Sequence, residues 1–143
     1  MPLLSRLAIR LAMGYLLTGL ALWILYTLDQ TTDLLAANWI ALRPVSIHFI
    51  TIGWLTQLIF AVMYWMFPIL SRQNPYGSPR LGWAALVCLN LGLVTRAIFE
   101  VGMTQGWGQD AGWGLVGAGL LQWGGISLWI ALTWGRVKAK GGR

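Results

Sequence analysis

The sequence predicts an all-α protein, a four-helix transmembrane bundle with both termini cytoplasmic. Three observations predict it. Hydrophobic residues make up 57% of the 143 positions and charged residues only 10%, where a soluble domain devotes about a quarter to charge. The charges gather at the ends and in short connectors, leaving four long apolar runs between them. Each run is close to the roughly 20 helical residues that cross a bilayer's hydrocarbon core.

The first run, 7–28, has a basic flank in Arg6 and Arg10 but is too long for the core of a cleavable leader, so it reads as a span. The connector 29–44 carries Asp29, Asp33, Trp39 and Arg43, and its middle, LLAANWIAL, is apolar enough to lie in the interface. The second span, 45–70, is almost free of charge, and Pro68 is placed to end or bend its last turn. SRQNPYGSPR follows, a turn-rich polar link that cannot cross a membrane. The third span is 81–103, TQGWGQDAG is a glycine-rich turn, and the fourth span is 113–134. A basic tail, 135–143, completes a single integral membrane domain.

Lysine and arginine bias sets the expected orientation. With the N-terminus inside, the inner face receives Arg6, Arg10, Arg72, Arg80, Arg136, Lys138, Lys140 and Arg143. The outer face receives Arg43 alone, with Asp29, Asp33 and Asp110. The net charge of +6 is therefore a topology signal, and nucleic acid is set aside as a partner. The expected location is a cell inner membrane, with the bilayer itself as first partner and a homo-oligomer or larger membrane complex as the second. Trp23, Trp39, Trp107 and Trp113 fall near the outer boundary and Trp83 and Trp134 near the inner one, as anchoring belts do.

Ionisable groups inside a span are expensive and need a partner or a function. His48, the only histidine, heads the second span. Arg96 and Glu100 lie one helical turn apart in the outer part of the third, close enough to pair. One reading is an Arg96–Glu100 ion pair that closes the outer end of the bundle; the functional reading adds His48 as the metal ligand, with Arg43 and Arg96 to hold the carboxylates of a haem. Gln57, Asn90 and Gln122 each fall near the middle of a span and read, with Glu100, as structural polar residues. Gly114, Gly117 and Ala118 supply small residues for close helix packing in the fourth span. The single cysteine, Cys88, excludes an intrachain disulfide and a cysteine metal cluster. The spans have few polar lining positions, which argues against a transporter.

From Arg43 to Pro68 the pattern is Ser46 and His48, then Gly53–Trp54, Tyr64 and a closing Pro68. This resembles the second transmembrane helix of the catalytic subunit of haem–copper oxidases, in the cbb3-type oxidase and nitric oxide reductase branch, and more closely a group of small four-span proteins related to it. The resemblance implies that His48 ligates haem b near the outer face. Ser46 stands where the family's first histidine would be, and the further histidines of the oxygen-reducing centre are absent. Terminal-oxidase catalysis by this chain alone is thereby excluded, and no catalytic residue is assigned. The expected role is a non-catalytic component or haem b carrier of a respiratory or photosynthetic electron-transfer complex. The alternative is a purely structural or assembly subunit without cofactor.

Overall fold

A computed structural model of the chain describes residues 1–32, 39–73 and 75–137. The interfacial reading of 34–38, Asp33, the side chain of Trp39 and the tail beyond Val137 lie outside the described residues. Among the described residues the protein is all helical, with four helices long and apolar enough to cross a membrane. They are α1 (Leu3–Thr32), α2 (Leu42–Met66), α3 (Pro79–Thr104) and α4 (Gln109–Trp134).

Local chemistry sets the helix ends. α1 has 30 residues and is about 45 Å long at 1.5 Å per residue, longer than a hydrocarbon core is thick. α2 stops at Met66, four residues short of the predicted limit at 70. The reason is Pro68: its ring disfavours helical backbone in the residue before it, and Phe67 turns to φ −65°, ψ 150°. A proline also opens α3, where Pro79 occupies the first turn and forfeits no intrahelical bond. Between α3 and α4 the backbone reverses through Gly106 (φ 82°) and Gly108 (φ 63°), a conformation that strains other residues.

α2 is not uniform. Its first turns, Leu42–His48, and its last, Gln57–Met66, are α-helical, but Phe49–Thr56 is a π-helix. The backbone N–H of Gln57 reaches the carbonyl of Ile52, five residues back, and the Thr56 hydroxyl donates to the carbonyl of Thr51 at 2.9 Å. The π-segment lies against α1 at two glycines. A Cβ on Gly53 would stand 2.6 Å from Tyr15 Cγ, and one on Gly19 would stand 2.8 Å from Ile50 Cγ1. Tyr15 in turn meets Phe49 edge to face, with ring centroids 5.0 Å apart.

The chain forms two antiparallel hairpins, α1 with α2 and α3 with α4, joined where α2 runs beside α3. The α3–α4 seam is the closest. A Cβ on Gly125 would stand 2.9 Å from the Leu89 amide nitrogen, and one on Gly92 would stand 3.0 Å from the Ala118 carbonyl oxygen. Small residues thus let two backbones touch, the usual route to helix association in lipid. Of the residues expected to pack, Ala118 is buried in this seam and Gly114 receives the ring of Phe99. Gly117 corrects the expectation. It lies about 100° round the helix from Ala118, and a Cβ added there would meet nothing within 4 Å.

Small residues fill much of the interior, beside a few large ones such as Trp129, Leu89 and Leu93. Ala8, Ala12, Ala61, Ala85 and Ala118 are inside, while Leu17 (71% exposed), Leu120 and Trp123 (70%) point outward. A water-soluble bundle would bury its large apolar side chains. Here at most 28% of each apolar window is buried, and the large side chains form a continuous coat that matches lipid. This is a multi-pass membrane protein.

Candidate functional site

His48 ends the first α-helical part of α2. Its Nδ1 stands 2.9 Å from the carbonyl oxygen of Pro44, one turn earlier. A carbonyl only accepts, so Nδ1 carries the proton of this hydrogen bond, and the neutral tautomer compatible with it has its lone pair on Nε2. A hydrogen bond of this kind from the other ring nitrogen is the usual partner of a metal-bound histidine, fixing tautomer and ring orientation. The side chain is half-buried. Ser46, where the resemblance expects another histidine, is fully buried and spends its hydroxyl on the Arg43 carbonyl at 2.8 Å.

The start of α2 lies beside the end of α3, and a cleft of about 410 Å³ opens between them. Arg43, Pro44 and Ile47 form one wall, and Glu100, Met103 and Thr104 the other. His48 does not line this cleft. It stands one turn beyond Pro44 on the same helix. Arg43 is exposed on the wall opposite Glu100. Arg96, one turn further into the membrane, is committed elsewhere: its Nη2 bonds Glu100 Oε1 at 2.9 Å, while its Nε is buried without a partner. Of the two arginines predicted to hold carboxylates, Arg43 alone has its charge available, because Arg96 is neutralised by Glu100. Among the described residues no group of three or more His, Cys, Asp or Glu side chains could hold a metal ion.

Deeper in the bilayer the predicted polar layer divides. Asn90 Nδ2 donates to Gln57 Oε1 at 2.9 Å and to the Leu86 carbonyl at 2.8 Å. Gln57 Nε2 donates to the Ala8 carbonyl at 3.1 Å, so one amide chain ties α3 to α2 and α2 to α1. Gln122 does not join it. Its side chain lies against Gly92 on the α3–α4 seam, with Nε2 buried and unpartnered. The turn per residue explains the split: Asn90 and Gly92 are about 200° apart on α3 and face different neighbours. Cys88 is half-buried and free.

The sequence reading missed Arg136. Assigned to the tail as a topology marker, it is fully buried at the opposite end of the bundle. Its Nη2 donates to the Phe67 carbonyl at 2.7 Å and its Nε to the Pro68 carbonyl at 3.0 Å. The guanidinium stands 5.6 Å from the ring centroids of both Tyr64 and Tyr76. Those carbonyls follow the end of α2, where helix oxygens lack intrahelical partners and carry partial negative charge. Burial pulls the guanidinium below the ordinary arginine value, and Tyr64 and Tyr76 oppose the shift. An arginine starts so high that it keeps its charge. The available signal was Tyr64 with Tyr76: two tyrosines at one membrane face offer rings to a nearby arginine.

Comparison with protein-family models, with curated proteins and with solved structures returns no match.

Proposed function

We propose that this protein is a small, non-catalytic membrane subunit that carries haem b, related to the haem–copper oxidase catalytic subunit and serving electron transfer in a respiratory or photosynthetic complex. The observation that carries the reading is the His48–Pro44 hydrogen bond, which orients the imidazole and is compatible with a lone pair on Nε2. Arg43, exposed five residues earlier on the same helix, is the cation available for a propionate. A bound haem would contribute one-electron chemistry. The chain's own part is to hold and orient: His48 ligates, Arg43 neutralises a carboxylate, and the apolar coat keeps the assembly in the bilayer. The +6 charge and its concentration at the Arg6, Arg72 and Arg80 end support an orientation with both termini cytoplasmic in an inner membrane.

This chain provides one histidine, and a low-spin haem of the resembled type takes two axial ligands. Met103, at the outer end of α3, is a candidate from within the chain by atom type and depth, although the cleft that it lines does not include His48. A second copy's His48 is the candidate from a two-fold dimer. Purified protein, expressed with adequate haem supply, is to be examined by visible spectroscopy before and after dithionite. A sharp reduced low-spin spectrum that disappears in His48→Ala supports the reading. One haem per two chains selects the bridged dimer, and one per chain selects an internal second ligand. Full-length, folded protein without haem rejects the carrier role.

The second reading is a purely structural or assembly subunit. What favours it is the Gln57–Asn90 chain, which spends interior polarity on joining α1, α2 and α3.

A further inference from the structure

On the outer surface of α1, Arg6, Arg10, Gly14 and Thr18 form a single row at four-residue spacing, and residues so spaced stack along one helix face. Arg6 and Arg10 are exposed, and among the described residues neither has a carboxylate partner. From Arg10 a groove of about 250 Å³ runs along the helix, lined by Arg10, Leu11, Gly14, Tyr15, Thr18 and Phe49. Gly14 makes the notch, because a Cβ there would meet nothing within 4 Å. Thr18, which also lines the groove, spends its hydroxyl on the Gly14 carbonyl at 2.8 Å. Tyr15 and Phe49, held edge to face, close the side toward α2. The groove is therefore cationic at one end and apolar along its length.

We infer that this groove is a binding site for an anionic glycerophospholipid of the leaflet at the Arg6 end, with its phosphate at Arg6 and Arg10 and an acyl chain along Leu11, Gly14 and Thr18. Depth agrees with the assignment. Were the middle of α1 at the middle of the bilayer, a core about 30 Å thick would begin near residue 8. Arg6 then lies at headgroup level, and Arg10 about 3 Å inside, within reach of the interface by extending its side chain. Two unpaired guanidiniums one turn apart match one phosphodiester, which arginine recognises through paired N–H donors. Generic annular lipid needs no such pair. The anionic headgroup is selected by charge, and the notch at Gly14 selects a chain over a free anion.

Native mass spectrometry of the full-length protein, released from nanodiscs of equal phosphatidylglycerol and phosphatidylcholine with matched chains, tests this. The expected result is one phosphatidylglycerol retained about tenfold more often than phosphatidylcholine. Arg10→Gln should bring that ratio to near one. Gly14→Leu, which fills the notch at an open surface position, should reduce retention of both lipids at least fivefold while the protein stays folded. Arg72→Gln removes one charge from the same end, away from the groove, and should leave the ratio unchanged. An equal loss in Arg72→Gln would show selection by net charge and overturn the site. Unchanged retention in Gly14→Leu would overturn the acyl-chain groove. Displacement of the lipid by millimolar inorganic phosphate would show a simple anion site and overturn the lipid assignment.

Discussion

Asn90 donates to the side-chain oxygen of Gln57 at 2.9 Å across the α2–α3 boundary, and Gln57 passes the connection to α1 through the carbonyl of Ala8. Gln57 is fully buried, and Asn90 is partly so. Asn90→Leu should therefore cost about 0.5–2 kcal/mol, the range for interhelical hydrogen bonds in membranes. A double-mutant cycle with Gln57→Leu, read by reversible unfolding in detergent, should give a coupling of the same order. Additive losses would show that the two amides do not act together.

Arg136 should be the costliest basic residue to remove. Arg136→Gln loses two charge-assisted hydrogen bonds and the stacking against Tyr64 and Tyr76, and leaves the carbonyls of Phe67 and Pro68 unpaired. The expected loss is about 3 kcal/mol or more, with faster proteolysis between Phe67 and Ser78. Arg72→Gln, at an exposed position of the same link, should change neither. Equal behaviour of the two variants would dismiss the clamp.

Glu100 and Arg96 form an ion pair at 2.9 Å, with side chains 15% and 25% exposed. Glu100→Ala strands the arginine, and the penalty should be about 1–2 kcal/mol. That is below the roughly 3–5 kcal/mol for a fully buried pair, since Arg96 can extend toward water. Removing both should cost less than removing Glu100 alone. A single variant as stable as the double would show that the pair is uncoupled.

Helix packing gives a sharp contrast on α4. Gly125→Leu drives a side chain into the backbone of Leu89 and Ala85 and should unseat α4 from α3. Gly117→Leu points into open space and should be tolerated, even slightly stabilising through helix propensity. Thermal unfolding in detergent distinguishes them, and equal tolerance would contradict the α3–α4 seam.

The four helices were legible because length and hydropathy alone specify a span, whereas two limits were misplaced: the second span was carried to 70 although Pro68 stops the helix at Met66, and the third was begun at 81 although the helix opens at Pro79. The Arg96–Glu100 pair was also legible, since its four-residue spacing lies within one helix. What lay across helices was harder. Gln57, Asn90 and Gln122 share a depth, but depth does not give the rotation of each helix, and Gln122 turned out to face Gly92 on another seam. The π-segment from Phe49 to Thr56 has no proline or charge to announce it, and the glycines it meets lie partly on another helix. Arg136 was hidden by its surroundings. A cation two residues past a span reads as an interfacial charge, and only the fold brings it back over Phe67.

The two-hairpin arrangement also orders events in time. α1 and α2 can enter the bilayer and close on each other before α3 is made, and α3 can then leave the translocation machinery paired with α4. Arg136 follows α4, so its grip on Phe67 and Pro68 can form only after both hairpins are in place. Until then the carbonyls of Phe67 and Pro68 lack the guanidinium that caps them. The contact that fastens this end of the bundle is thus one that the chain can make only once all four helices exist.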